Sequence, residues 1–159
     1  MPRIGITGHM NLTPASVALV DEALREALGP YAGDDLVGVS CIARGADSIF
    51  AQAVLDLGGT LEVVLPTSSY RDQKVEPDHA PHFDELMRRA ATVRMLLFAE
   101  TNPEAYEAAN QALVSSCDLL FAVWDSRTGD KGGTASVIDY ARSQGVAVHV
   151  VWPDGAARG

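Results

Sequence analysis

Short apolar runs alternating with stretches of helical periodicity limit this chain more than any other feature. Arg3–Thr7, Leu36–Cys41, Thr60–Leu65, Val93–Phe98, Asp118–Trp124 and Val146–Trp152 each read as a strand. Several are continuous in apolar character, as strands are when both faces of a parallel sheet are covered. Between them, apolar residues recur at helical spacing, as in Val17, Val20, Leu24, Ala27 and Leu28, or Ile49, Phe50, Ala53, Val54 and Leu57. Strand and helix in strict alternation specify one α/β domain: a doubly wound, Rossmann-like sheet of about six mostly parallel strands with helices on both faces.

Local punctuation sharpens this reading. Thr13 is an N-cap with Pro14 at the first helical position, and Gly29-Pro30 ends that helix. Gly58-Gly59 stops the second helix. A helix is expected from about His82 to Ala90, and another starts at Asn102-Pro103. The segment from Thr67 to Pro81 is the longest irregular stretch, a length often associated with function, and Tyr70 and Arg71 lie in it. The domain is expected to span 1–153, with 154–159 as a frayed tail.

The 159 residues suffice for one real core, and 47% hydrophobic with 21% charged residues is an ordinary globular balance. The net charge of −9 repels a nucleic-acid backbone, so general DNA or RNA binding is not expected. Cys41 and Cys117 read as reduced, buried thiols, with neither a disulfide framework nor zinc spacing. His9, His79, His82 and His149 are scattered, so no metal is expected, and no cofactor. No run approaches the ~18 apolar residues of a membrane span. The chain enters a strand pattern at once, without a signal peptide, and a cytoplasmic protein away from membranes is expected.

In a doubly wound sheet, ligands bind beyond the carboxyl ends of the strands, near the point where strand order reverses. Three loops leave that edge with informative residues. Thr7-Gly8-His9 makes a glycine turn after the first strand. Ala43-Arg44-Gly45-Ala46-Asp47 follows the second, where Arg44 is a fork for an anion and Asp47 a helix cap or a ribose ligand. Asp125 ends the fifth strand, before Lys131-Gly132-Gly133-Thr134 opens a helix. That last arrangement is an anion cradle: helix amides and the helix dipole face the ligand, and the two glycines allow close approach. Asp125, Asp47 and His9 are the weak catalytic candidates, and each also reads as a turn or cap residue. The dinucleotide fingerprint G-x-G-x-x-G and the P-loop are both absent.

With these loops in view, the chain resembles the SLOG superfamily, a Rossmann-like group that includes the lonely-guy phosphoribohydrolases and the DNA-processing protein A family. Ser40–Asp47 resembles the S-G-L-A-x-G-[IA]-D run of the DNA-processing proteins, and Gly132-Gly133-Thr134 resembles the P-G-G-x-G-T-x-x-E motif of the phosphoribohydrolases. The resemblance implies a small nucleotide-like ligand and pairing into homo-oligomers through helices. It also implies N-glycosidic chemistry by a glutamate, but the matching position is Val137. A comparison with nucleoside deoxyribosyltransferases, anchored on Tyr140-Ala141, falls on Val137 as well. Asp139 is two residues further, about 200° round the helix, and cannot substitute.

The sequence therefore favours binding of a nucleotide or ribose-phosphate ligand, as a sensor or accessory module, over enzymatic action. Two alternatives stay open: a nucleoside-phosphate hydrolase or transferase with a relocated carboxylate, and a structural or oligomerisation domain.

Overall fold

A computed structural model describes residues 2–127 and 133–159. Among them, β1 (Arg3–Gly8), β2 (Val37–Ser40), β3 (Thr60–Leu65), β4 (Thr92–Met95), β5 (Leu119–Val123) and β6 (Ala147–Val150) form one sheet. All the pairings are parallel, and the spatial order is β4-β3-β2-β1-β5-β6. The helices are α1 (Pro14–Leu28), α2 (Ala46–Asp56), α3 (Tyr70–Lys74), α4 (Ala80–Arg89), α5 (Pro103–Ser115) and α6 (Thr134–Ser143). This is the doubly wound α/β architecture read from the alternation of runs.

Side-chain alternation along the strands sorts the core onto two faces. Ile4, Ile6, Phe121 and Val123 pack under α1 and α2 with Val20, Leu24, Phe50 and Val54. Val37, Val39, Val64 and Leu120 pack on the other face under α5 and α6 with Leu113, Val137 and Ala141. A third cluster covers β3, where Leu61, Val63 and Leu65 meet Tyr70, Phe83 and Leu86. Phe50 and Phe121 are fully buried and meet edge to face at 6.2 Å.

The cap at Thr13 forms as its sequence requires: Thr13 Oγ1 accepts from the Ser16 amide at 3.3 Å, and Pro14 begins the helix. Elsewhere the structure departs from the reading. The expected irregular stretch 67–81 contains α3, and α4 starts two residues early, at Ala80. The polar run Tyr70–Lys74 carries little apolar periodicity; what anchors it is Tyr70, 5% exposed and tilted against Phe83 at 6.0 Å. Strands β2 and β4 to β6 are shorter than their apolar runs; β4 ends at Met95, opposite the last residue of β3, and β5 ends at Val123, opposite the last residue of β1.

Residues 154–159, expected to fray, run back along the loop after β1. The Thr13 amide donates to Ala157 O, the Ala157 amide donates to Ser16 Oγ at 2.7 Å, and Leu12 bridges Arg158. That return brings Arg158 to the carboxyl edge of the sheet.

Candidate functional site

Strand order reverses at β1. The chain steps from β1 through β2 and β3 to β4 on one side, then crosses to β5 and β6 on the other. The crevice between the carboxyl ends of β1 and β5 is the switch point of the sheet. A cleft of about 480 Å³ opens there, within the range of small-molecule sites.

The loops around the cleft are held in close register. A Cβ on Gly8 would lie 2.5 Å from Ala46 Cβ and 2.8 Å from Val123 Cβ, so only glycine lets β1, β5 and the start of α2 converge. Gly45 has φ +84°, and a Cβ there would lie 2.6 Å from His9 O. The loops after β1 and β2 thus touch backbone to backbone, and the Ala46 amide donates to His9 O at 3.3 Å.

His9 is 7% exposed, with its ring edge on Trp152 at 5.7 Å. Its Nε2 accepts from the Asp125 amide at 3.2 Å and lies 3.3 Å from Asp125 Oδ1. Burial, and then the Arg158 charge, hold its pKa below the ordinary histidine value; the Asp125 carboxylate opposes this without overcoming it. Burial alone would raise the Asp125 carboxyl. The Arg127 amide at 3.0 Å, His9 and Arg158 outweigh that and hold it below the usual value. Asp125 therefore clamps the loop after β5 onto His9 and onto Arg158, whose Nη1 is 3.7 Å away.

The structure gathers some of the candidates and separates others. Thr7, Gly8, His9, Asp47, Gly133 and Thr134 line the cleft. Asp125 is not among the described lining residues and supports the wall from behind. Arg44 sits at the exposed outer rim in an ion pair with Asp78, and Gly45 shapes the loop contact. Arg71 pairs with Asp84 instead of closing over the cleft. Lys131 and Gly132 lie outside the described residues. Val137, on the first turns of α6, lines the cleft, while Asp139 is exposed and is not among the lining residues.

Arg127 and Arg158 were not singled out from the sequence, yet both line the cleft, as do Asn11, Cys41, Tyr106 and Asn110. Arg127 stands three residues beyond the strand that ends in Trp124, and this proximity was a usable signal. Arg158 carried none, because only the return of the tail brings it there.

Asp47 sits at the far side of the cleft on the first turn of α2. Burial raises its pKa to about 7, against a hydrogen bond from the Ala43 backbone. Burial and the nearby Asp47 charge raise the Cys41 thiol in turn. Burial raises the Tyr70 phenol, with Tyr106, Asp47 and Cys41 adding to the shift. Among the described residues there is no group of three His, Cys, Asp or Glu side chains suited to a metal ion, and no helix is long and apolar enough to cross a membrane.

No family model matches the sequence, and no curated protein matches it. Solved structures do. DNA processing protein A from Streptococcus pneumoniae superimposes with a TM-score of 0.68 at 16% identity, over 94% of this chain and 50% of its own. The same protein from Helicobacter pylori, described with a single-stranded DNA binding mode, gives a TM-score of 0.69 at 19% identity, over 94% of this chain and 64% of its own. The molybdenum cofactor binding protein of Rippkaea orientalis gives 0.61 at 17% identity, over 96% of this chain and 77% of its own. The chain has the Rossmann-like α/β fold of these proteins. It spans less than two thirds of either DNA processing protein.

These neighbours correct one expectation. A net charge of −9 does not exclude nucleic acid, because a protein of this same fold binds single-stranded DNA. The physical reason is that net charge sets the average field and not the local one. Here Arg127 and Arg158 line a cleft in an otherwise acidic molecule.

Proposed function

We propose that the cleft binds a nucleotide or ribose-phosphate ligand, with its phosphate at the start of α6 and its sugar along Thr7–Asn11. The protein then acts as a sensor or accessory binding module. One observation carries this reading: Thr134 and Ala135 of the first turn of α6, Arg127, Arg158 and the loop after β1 all line the same cleft at the switch point. By helix geometry the Thr134 and Ala135 amides have no intrahelical acceptor, and the dipole of α6 favours an anion in front of them. No acidic residue stands in the first turn to compete for that place.

Catalysis is disfavoured on the same grounds. N-glycosidic cleavage needs a carboxylate to trap or stabilise the ribosyl centre. At the position where the resemblance puts that glutamate, the residue facing the cleft is Val137, 6% exposed and packed in the core under α5 and α6.

Thermal denaturation with a panel of ligands tests the proposal: orthophosphate, ribose 5-phosphate, nucleoside monophosphates, ADP-ribose and a short oligothymidylate. A ligand at a hundredfold excess over its Kd stabilises the folded state by about 2.7 kcal/mol, roughly 5–10 °C in a domain of this size. At least one nucleotide raises the melting temperature by that order, and Arg127→Ala with Arg158→Ala removes the shift. If no nucleotide gives a shift, the proposal fails. A shift from the oligothymidylate alone reassigns the cleft to a polymer.

A further inference from the structure

Strand β4 closes one side of the sheet with all four of its residues exposed. Among the described residues eight large apolar side chains are exposed, and three of them, Val93, Met95 and Leu97, fall within one run of five residues. Leu97 is fully exposed. In the ladder Val93 stands beside Val63 and Met95 beside Leu65. Both therefore lie on the face that Phe83 and Leu86 of α4 cover over β3, and at β4 that cover has run out. Leu97 is next in the same alternation.

The backbone edge is open as well. The Leu96 amide donates to Leu65 O at 3.0 Å, so by the alternation of a ladder Val93 and Met95 turn their N–H and C=O groups away from β3. An edge of unpaired backbone groups is a template for another strand. Charges at its two ends select which strand. Helix α4 ends in Arg88 and Arg89 at the amino end of β4, and Glu100 follows the carboxyl end. Arg89 and Glu100 are both exposed, and neither has an ion pair among the described residues.

We infer that β4 pairs antiparallel with β4 of a second copy of this chain, about a two-fold axis at Met95, and joins two sheets into one. In that register Met95 faces its own copy, Val93 faces Leu97, and Ala90 faces Glu100. The exposed apolar row closes on itself, and Arg89, next to Ala90, meets Glu100 of the second copy at both ends. Arg94 falls opposite Leu96. An axis at Arg94 would set two arginines face to face, and an axis at Val93 would set Leu97 against Arg89. None of these residues lines the cleft, so the pairing stands or falls apart from any ligand.

Sedimentation of the whole chain at micromolar concentration tests the pairing, and a dimer is expected. Met95→Lys changes a half-exposed side chain and sets two ammonium groups face to face, which weakens association about 10-fold or more. Facing Cα atoms in a hydrogen-bonded antiparallel pair are about 5.5 Å apart, within disulfide range. Oxidised glutathione therefore links Met95→Cys into a covalent dimer that dithiothreitol releases, and leaves the wild type unlinked. Glu100→Arg weakens the dimer, and adding Arg89→Glu restores it; this rescue decides if Met95→Lys does not fold. A monomeric wild type overturns the inference and leaves the edge to a strand of a different protein. A dimer that Met95→Lys does not weaken, or that Met95→Cys does not link, pairs through another face or register and overturns it too.

Discussion

Asp47 and His9 titrate in opposite senses, and this makes a residue-scale test of the site. Between the ordinary aspartate value of 3.8 and about 7, folded Asp47 keeps a proton that the unfolded chain has released. The native state then binds more protons than the unfolded state, so stability falls as pH rises through that window, by at most about 1.4 kcal/mol per unit. Buried neutral His9 does the reverse, because the unfolded chain takes up a proton below about 6.5 and the native state resists it. Comparing wild type with Asp47→Asn isolates the first effect. In urea titrations, wild-type stability relative to the variant falls between pH 4 and 7; a constant difference between the two means that Asp47 is not held protonated. These partners also show what the sequence does not disclose. Thr7-Gly8-His9 is readable because the glycine turn follows its strand directly. The contact of His9 with Asp125 spans 116 residues and exists only because β1 and β5 are neighbours in the sheet.

At the scale of elements, local chemistry foretells the start of α1 and the convergence of loops at Gly45. Thr13→Ala removes the cap that accepts from the Ser16 amide and costs about 1 kcal/mol. Gly45→Ala costs more: the left-handed φ of +84° alone carries about 1–2 kcal/mol for a residue with a Cβ, and the new atom meets His9 O. Denaturant midpoints measured on both variants are expected in that order, with the larger loss at Gly45. Equal losses would mean that the loops after β1 and β2 are not pressed together. Helix α3 is the element that resists reading. Its five residues carry no periodic pattern of their own, and its place comes from the tertiary burial of one tyrosine against Phe83. Strand positions, by contrast, follow from continuous apolar runs, and only their ends differ from those runs.

For the whole molecule, the order β4-β3-β2-β1-β5-β6 explains why a cleft forms at the carboxyl ends of β1 and β5. The alternation of runs indicates a parallel sheet and therefore a ligand edge. It does not indicate which loops meet there, since strand order is a property of the packed chain. Arg158 illustrates the gap: it is the second-last residue in sequence and a wall of the cleft in space. Net charge is limited for a related reason: it averages over the surface and does not report that Arg127 and Arg158 line the cleft. The central claim, that this cleft holds an anionic nucleotide with its phosphate before α6, is tested most directly by a crystal structure of the protein grown with millimolar adenosine or cytidine monophosphate. The account predicts density for a phosphate within hydrogen-bonding distance of the Thr134 or Ala135 amide and of Arg127 or Arg158, with the sugar along Thr7–Asn11. An empty cleft, or a nucleotide bound away from α6, contradicts it.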